Sequence, residues 1–279
     1  MGGLVMEIKL VSNEKIAETS SKGNQEKWYD KETDCWYKLD QFGYESLAET
    51  VISEFLEDSN IETDTPFTFV RYGMTRFRVH GRDRTGCVSR NFLKDGESIV
   101  TLNRLLTLYL GCPLKEKLMK FSSDKKRVEY LANTTAEITK LAYFPKYLTL
   151  VFEVDSLFLN DDRHLNNIAV IEKDGRYSYC PVFDNGAGLL SGVSFLPFDI
   201  APKALIKEAV ARPMGTSFTR QMNTARGFTG PVLKIRKYDR TEIADRVRPL
   251  LDYYPKRDRE LILDRVEECI LERQKLFSL

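Results

Sequence analysis

The chain has 279 residues, a formal net charge of +1, 42% hydrophobic and 30% charged residues, which suits one large domain or two lobes of a globular protein. That charge supplies no bulk field to recruit nucleic acid or an anionic membrane, and no apolar run is long enough to cross a bilayer. The five cysteines, Cys35, Cys87, Cys112, Cys180 and Cys269, lack CxxC spacing, which argues against a zinc site or disulfide framework and for a reducing cytoplasm. Met1-Gly2-Gly3 lacks the Ser or Thr that myristoylation needs at position 6, where Met6 stands.

In chain order, residues 4–11 alternate apolar and polar and predict a strand. A polar loop over 18–27 follows, and its single Gly23 makes it neither a Walker A loop nor a GxGxxG turn. Trp28-Tyr29 and Cys35 to Leu39 predict strand pieces. Gly43 to Asn60 predicts a helix, with Leu47, Val51, Phe55 and Ala48, Ile52, Leu56 at i, i+4 spacing. Further strands are expected at Thr68-Phe69-Val70, Phe77 to His80 and Gly86 to Leu93, ending in a connector at Lys94-Asp95-Gly96. His80 has no His or Cys partner nearby and is expected to be structural or exposed.

Beyond the connector the pattern turns helical. Ser98 is the expected N-cap of a helix over 99–110 that stops at Gly111-Cys112-Pro113. Residues 125–142 predict a second helix. Tyr147, Leu150, Val151, Val154, Leu157 and Phe158 keep helical spacing and predict a third over 146–159. Residues 188–230 are rich in Gly and Pro. They predict short helices and a mobile stretch near 212–232; the basic residues Arg220, Arg226, Lys234, Arg236 and Lys237 along this part are expected in solvent, with a substrate-phosphate or acidic-peptide site as the alternative reading. Helices over 239–252 and 256–277 close the chain.

Between these parts lie Asn160-Asp161-Asp162-Arg163-His164-Leu165-Asn166-Asn167, a hairpin with its turn at Lys173-Asp174-Gly175-Arg176, and Val182-Phe183-Asp184-Asn185-Gly186. Each cluster alone is an ordinary turn composition. Together they place Asp162, Asn167 and Asp184 at the ends of one short hairpin. Phosphoryl transfer from ATP uses such a set: one carboxylate for the acceptor hydroxyl, an amide oxygen and a second carboxylate for Mg²⁺.

Asp162-Arg163-His164-x-x-Asn167 followed by Phe183-Asp184-x-Gly186 resembles the catalytic and metal loops of the phosphoinositide-kinase-like superfamily, and within it the HipA-like bacterial serine/threonine kinases. Asn185 stands where common protein kinases have the Phe of Asp-Phe-Gly, and His164 follows the Asp instead of preceding it. The resemblance covers most of the chain, being strongest over 160–188, fair over 18–60 and weak after 190. It implies an α+β, two-lobed, protein-kinase-like fold, with a strand-rich N-lobe over 1–94 and a helical C-lobe over 95–279. It also implies that the extra N-terminal subdomain of longer HipA proteins is lacking.

By the same resemblance, Ser20-x-x-Gly23-x-Gln25-Glu26-Lys27 looks like a phosphate-covering loop, with Lys22, Gly23, Asn24, Gln25, Glu26 and Lys27 at the nucleotide and Ser20 or Ser21 as the autophosphorylated residue; Thr19 is a third candidate. Lys38 paired with Glu49 would grip the ATP phosphates, with Glu45 and Glu54 as rivals to Glu49. Arg90 to Phe92 would be the hinge meeting adenine. Asp162 would orient or deprotonate the hydroxyl, Asn167 and Asp184 would hold Mg²⁺, and His164 would stabilise transferred charge or hold its loop. The implied function is an ATP- and Mg²⁺-dependent serine/threonine kinase acting on a protein, with a small antitoxin as a possible partner and a cytoplasmic location, secretion into host cells remaining open. A lipid kinase shares Asp-Arg-His-x-x-Asn, but no membrane-binding basic stripe or apolar helix is visible. A nucleotide-binding pseudokinase is a third reading, against which all five expected polar positions are present. No residue selects among substrates such as a translation factor or an aminoacyl-tRNA synthetase.

Overall fold

The computed structural model describes residues 8–10, 25–79 and 81–277. Ser20, Ser21, Lys22, Gly23, Asn24 and His80 lie outside them. The first part is a five-stranded sheet: β1 (Ile8–Leu10), β2 (Lys27–Asp30), β3 (Cys35–Leu39), β4 (Gly73–Val79) and β5 (Arg82–Arg90), in the order β1-β4-β5-β3-β2. Only β1–β4 is a parallel pair. The alternating side chains of these strands put Trp28, Tyr37, Leu39, Phe77 and Val79 into one buried cluster.

Helix α1 (Glu45–Leu56) lies between this sheet and the helical remainder. All its residues but Glu54 are buried, so it is packed on every side rather than along one stripe. Its entry is fixed where Tyr44 N donates to Ser191 O at 3.1 Å and Tyr44 Oη to Leu189 O at 2.7 Å. Gly43 is required there, because a Cβ would stand 2.0 Å from Ser191 O. The far end is tied by Asp58, which accepts from Arg246 at 2.5 Å, Tyr238 at 2.9 Å and Arg236 at 3.2 Å.

After a short helix α2 (Ile61–Asp64) and the sheet, the chain enters β6 (Ser98–Thr101), which pairs antiparallel with β7 (Ala169–Lys173); β8 (Arg176–Tyr179) completes a three-stranded sheet. Ser98 is therefore not the helix cap. The β-branched run Ile99-Val100-Thr101 fits a strand, and helix α3 (Leu102–Leu110) starts only afterwards, where Thr101 accepts from Arg104 N. Helices α4 (Leu114–Met119), α5 (Asp124–Thr139, capped by Ser123) and α6 (Phe144–Phe158) follow. Helix α6 has thirteen buried residues and is the spine of the helical part.

Residues 202–229 form α7 (Pro202–Glu208), a two-residue hairpin β9 (Val210–Ala211) and β10 (Thr216–Ser217), and α8 (Phe218–Thr229). The Gly- and Pro-rich stretch near 212–232, expected to be mobile, carries a helix of 12 residues. Ser217 caps it, and Phe218, Met222 and Ala225 bury one face at i, i+4, i+7. That stripe is short and set among polar residues, so the Gly and Pro content hid it. Of the basic residues expected in solvent, Arg226 is the exception, meeting the fully buried Glu153 of α6 at 2.6 Å; Arg220, Lys234, Arg236 and Lys237 are exposed, the first three with carboxylate partners. Helix α9 (Arg240–Val247) passes into a 3₁₀ turn over 248–253 at Pro249, and α10 (Lys256–Arg273) closes the fold. The 3₁₀ turn straps the first sheet: Arg76 donates to Asp252 O at 2.6 Å, Thr85 to Tyr253 O at 2.8 Å.

Candidate functional site

The site forms where β3, α1 and the two loops flanking the β7–β8 hairpin converge. Lys38 on β3 is cross-strand from Lys27 on β2. Its Nζ lies 2.5 Å from Glu49 Oε1 and 2.7 Å from Asp184 Oδ1, and 5.2 Å from the Tyr72 ring centroid. Glu49 is fully buried, and its other oxygen accepts from Asn185 N at 2.8 Å. The rivals are occupied elsewhere. Glu45 accepts from Phe42 N and Gly43 N at the start of its own helix, and the Glu54 carboxyl is raised by partial burial, with Arg246 rather than Lys38 opposing.

The charges of Lys38, Glu49 and Asp184 act on one another. Burial alone would raise the Asp184 carboxyl, but Lys38 and then Lys27 hold it well below the usual range. Burial raises Glu49, with Lys38 opposing. Burial would lower Lys38, but Asp184 and Glu49 outweigh it and keep the ammonium charged. Lys27 is lowered by burial, with Asp184 opposing, which puts it on the same face.

The second half is built on Arg163, a residue whose role the sequence did not reveal. It is 1% exposed. Nε reaches Asp155 of α6 at 3.0 Å, Nη1 donates to Asn167 O at 3.0 Å and Phe183 O at 2.5 Å, and Nη2 donates to Asn185 Oδ1 at 2.5 Å. One guanidinium thus fixes the 160–167 loop against the 183–186 loop. The visible signal was Asp155, a carboxylate inside an apolar helix, which needs a partner when buried. Asn160 adds a bond from Nδ2 to Asp184 O at 3.2 Å.

Asp162 stays half exposed at this rim. Its carbonyl accepts from Asn167 Nδ2 at 3.0 Å and from His164 N at 2.8 Å. With its amide nitrogen committed, Asn167 keeps its side-chain oxygen without a hydrogen-bond partner among the described residues. His164 Nε2 is 4.0 Å from Asp162 Oδ2, and its Nδ1 is buried without a partner among the described residues. Arg212 approaches Asp162 Oδ1 at 3.3 Å.

The donor set at the loops suits Mg²⁺. Asp184 is a held carboxylate and Asn167 an amide oxygen, both hard ligands. No three His, Cys, Asp or Glu side chains converge as a metal cage among the described residues, so a cation here would take its other ligands from phosphate and water.

The remaining expected residues sit around this centre. Gln25 Nε2 donates to Leu39 O at 2.9 Å, and Glu26 pairs with Arg84 at 2.5 Å, so both serve the sheet edge. Arg90 ends β5 and is exposed. Phe92 is half-buried, its ring centroid 6.2 Å from that of Phe183. Between the sheets, Phe92 and Phe183 are shared by two apolar clusters, one of Val70, Tyr72 and Cys87, the other of Ala169, Ile171 and Cys180.

A strand-rich sheet with a lysine–glutamate pair to a buried helix, followed by helices and a loop–hairpin–loop, is a protein-kinase-like fold. The backbone is similar to the Helicobacter pylori proinflammatory kinase CtkA, with a TM-score of 0.61 at 13% identity, covering 92% of this chain and 89% of that one. It is also matched to HipA of the Shewanella oneidensis MR-1 toxin–antitoxin system, solved with HipB and its operator DNA, with a TM-score of 0.49 at 13% identity over 92% of this chain and 65% of that one. No protein-family model and no curated protein matches the sequence. No helix among the described residues is long and apolar enough to cross a membrane.

Proposed function

We propose that this protein is an ATP- and Mg²⁺-dependent serine/threonine protein kinase of HipA-like type, with its lobes divided near residue 94. The observation that carries the reading is the double engagement of Lys38 by Glu49 and Asp184, 2.5 and 2.7 Å away. A buried lysine held between a helix carboxylate and a loop carboxylate is a fixed cation at the phosphate site, and the loop carboxylate is held ionised for a metal.

In this reading Lys38 and Lys27 face the triphosphate, and Glu49 fixes Lys38. Asp184 and Asn167 are the protein ligands of Mg²⁺, which neutralises phosphate charge when bound. Asp162 orients the acceptor hydroxyl and takes its proton as that oxygen attacks the terminal phosphorus; the bond to the bridging oxygen breaks and its electron pair leaves with ADP. His164, with Nε2 4.0 Å from Asp162 Oδ2, would stabilise transferred phosphoryl charge or hold its loop. The apolar residues around Phe92 and Phe183 would receive the adenine, with the backbone at Arg90 to Phe92 as the hinge. Ser20 or Ser21 would be the autophosphorylation site of the phosphate loop. A small antitoxin partner follows from the sequence resemblance alone, and co-purification from the native source tests it.

The experiment is labelling of a lysate with ATP by wild type, Asp162→Asn and Asp184→Asn, with phosphosites read by mass spectrometry. Labelled protein in wild type, reduced by orders of magnitude in both folded variants, is the expected result. Labelled lipid points to a lipid kinase, and no label to a pseudokinase. Near-wild-type labelling by both variants overturns the assignment.

A further inference from the structure

The roles above leave one group at the rim unused. Arg212 Nη1 lies 3.3 Å from Asp162 Oδ1, with the Arg212 side chain 59% exposed. Among the described residues its remaining N–H groups have no hydrogen-bond partner. The backbone that carries it is fixed from below. Gln221 of α8, 1% exposed, donates Nε2 to Arg212 O at 2.7 Å and accepts from Met214 N at 3.1 Å. Ala211, the preceding residue, is fully buried and paired with Thr216 in the β9–β10 hairpin. The hairpin is therefore a rigid mount for an exposed guanidinium.

Its surroundings are acidic. Asp161 and Asp162 are both exposed at this rim. Without Arg212 the rim would present the Asp161 and Asp162 carboxylates beside His164, with no fixed positive charge to hold an acidic substrate. An ion pair this exposed is weak and exchanges readily. One edge of the planar fork can stay on Asp162 while the other takes a second oxyanion in bidentate fashion.

We propose that Arg212 determines acceptor specificity: it binds an acidic group, carboxylate or phosphate, on the substrate protein beside the hydroxyl that faces Asp162. This rests on the kinase reading of Asp162. The test uses purified protein, MgATP and serine/threonine peptides in which each flanking position in turn carries Glu, phosphoserine, Ala or Lys. Wild type should favour an acidic group at one position over Lys by about tenfold in kcat/KM, the lower end of what one hydrogen bond to a charged group contributes. Arg212→Met should lose the preference, Arg212→Glu should invert it towards Lys, and Arg212→Lys should keep part of it. ATP affinity by calorimetry should stay unchanged in all three, because the nucleotide is held at Lys38. A higher rate with phosphoserine than with Glu names phosphate as the group; the reverse names carboxylate. Wild type without an acidic preference, or Arg212→Met with the wild-type preference, overturns the proposal while leaving the kinase reading intact. So does an Arg212→Met that is faster on all peptides alike, since Arg212 would then be a latch on Asp162. ATP binding with no transfer to any peptide overturns it too, and absence of ATP binding removes the kinase reading with it.

Discussion

Replacing Arg163 by Met tests the knot on which both loops depend. The guanidinium is buried and serves Asp155, Asn167 O, Phe183 O and Asn185 Oδ1 at once. Removing one partner of a buried ion pair costs about 3–5 kcal/mol. Each stranded carbonyl adds up to about 1–3 kcal/mol, less what relaxation and entering water recover. A net loss of about 4–6 kcal/mol follows, a fall of roughly 10–20 °C in Tm for a chain of this size. The loss should depend on pH. Burial lifts the Asp155 carboxyl from an ordinary 3.8 to about 6, against the pull of Arg163. A carboxyl raised in the folded state contributes stability that is full below pH 4 and lost as pH rises through about 6. Without Arg163 only the Asn160 hydrogen bond still opposes burial, so the carboxyl rises further and the loss extends to higher pH. Denaturant titrations at pH 5 and pH 8 should show the larger penalty at pH 8. Arg163→Met combined with Asp155→Leu should recover most of it, because an apolar pair replaces a buried charge. A penalty under about 1 kcal/mol at pH 8, or one equal at both pH values, refutes the reasoning.

Lys38→Met should lower ATP affinity at least tenfold by calorimetry and also lower Tm, since Glu49 is left buried beside Asp184 without its cation; a folded variant with unchanged affinity would make Lys38 structural only. Gly43→Ala should cost about 1–3 kcal/mol in denaturant unfolding, because its Cβ meets backbone at Ser191 that cannot swing aside; stability equal to wild type would show that the 189–193 segment yields. Intact mass and peptide mapping after incubation with MgATP should find phosphate on Ser20 or Ser21 in wild type and not in Asp184→Asn. The Ser20→Asp Ser21→Asp variant should bind ATP at least fivefold more weakly, through repulsion of the triphosphate; unchanged affinity removes this switch.

Local pattern determined much of this molecule. Apolar residues at i, i+4 marked α1 and α6, because a helix must bury a stripe wherever it packs. Two apolar runs around Lys173-Asp174-Gly175-Arg176 marked the β7–β8 hairpin, and its length placed the Asp162 and Asp184 loops side by side. Short windows placed Lys38 on a strand and Glu45, Glu49 and Glu54 on a helix, but only the family resemblance singled out Glu49 as the partner of Lys38. The tertiary structure decided the rest. Residues 98–101 carry a β-branched run that suits a strand, but the pairing partner that makes them one, β7, lies outside any local window. The stripe of α8 counted as core only once α6 lay against it. Arg163 reads as a loop residue in sequence; its weight comes from Asp155 eight residues before it and Phe183 and Asn185 some twenty beyond. Arg212 meets Asp162 across fifty residues. Short-range periodicity fixes which faces are apolar, whereas the partners of buried and rim charges depend on long-range packing, and those partners decide what the site can do.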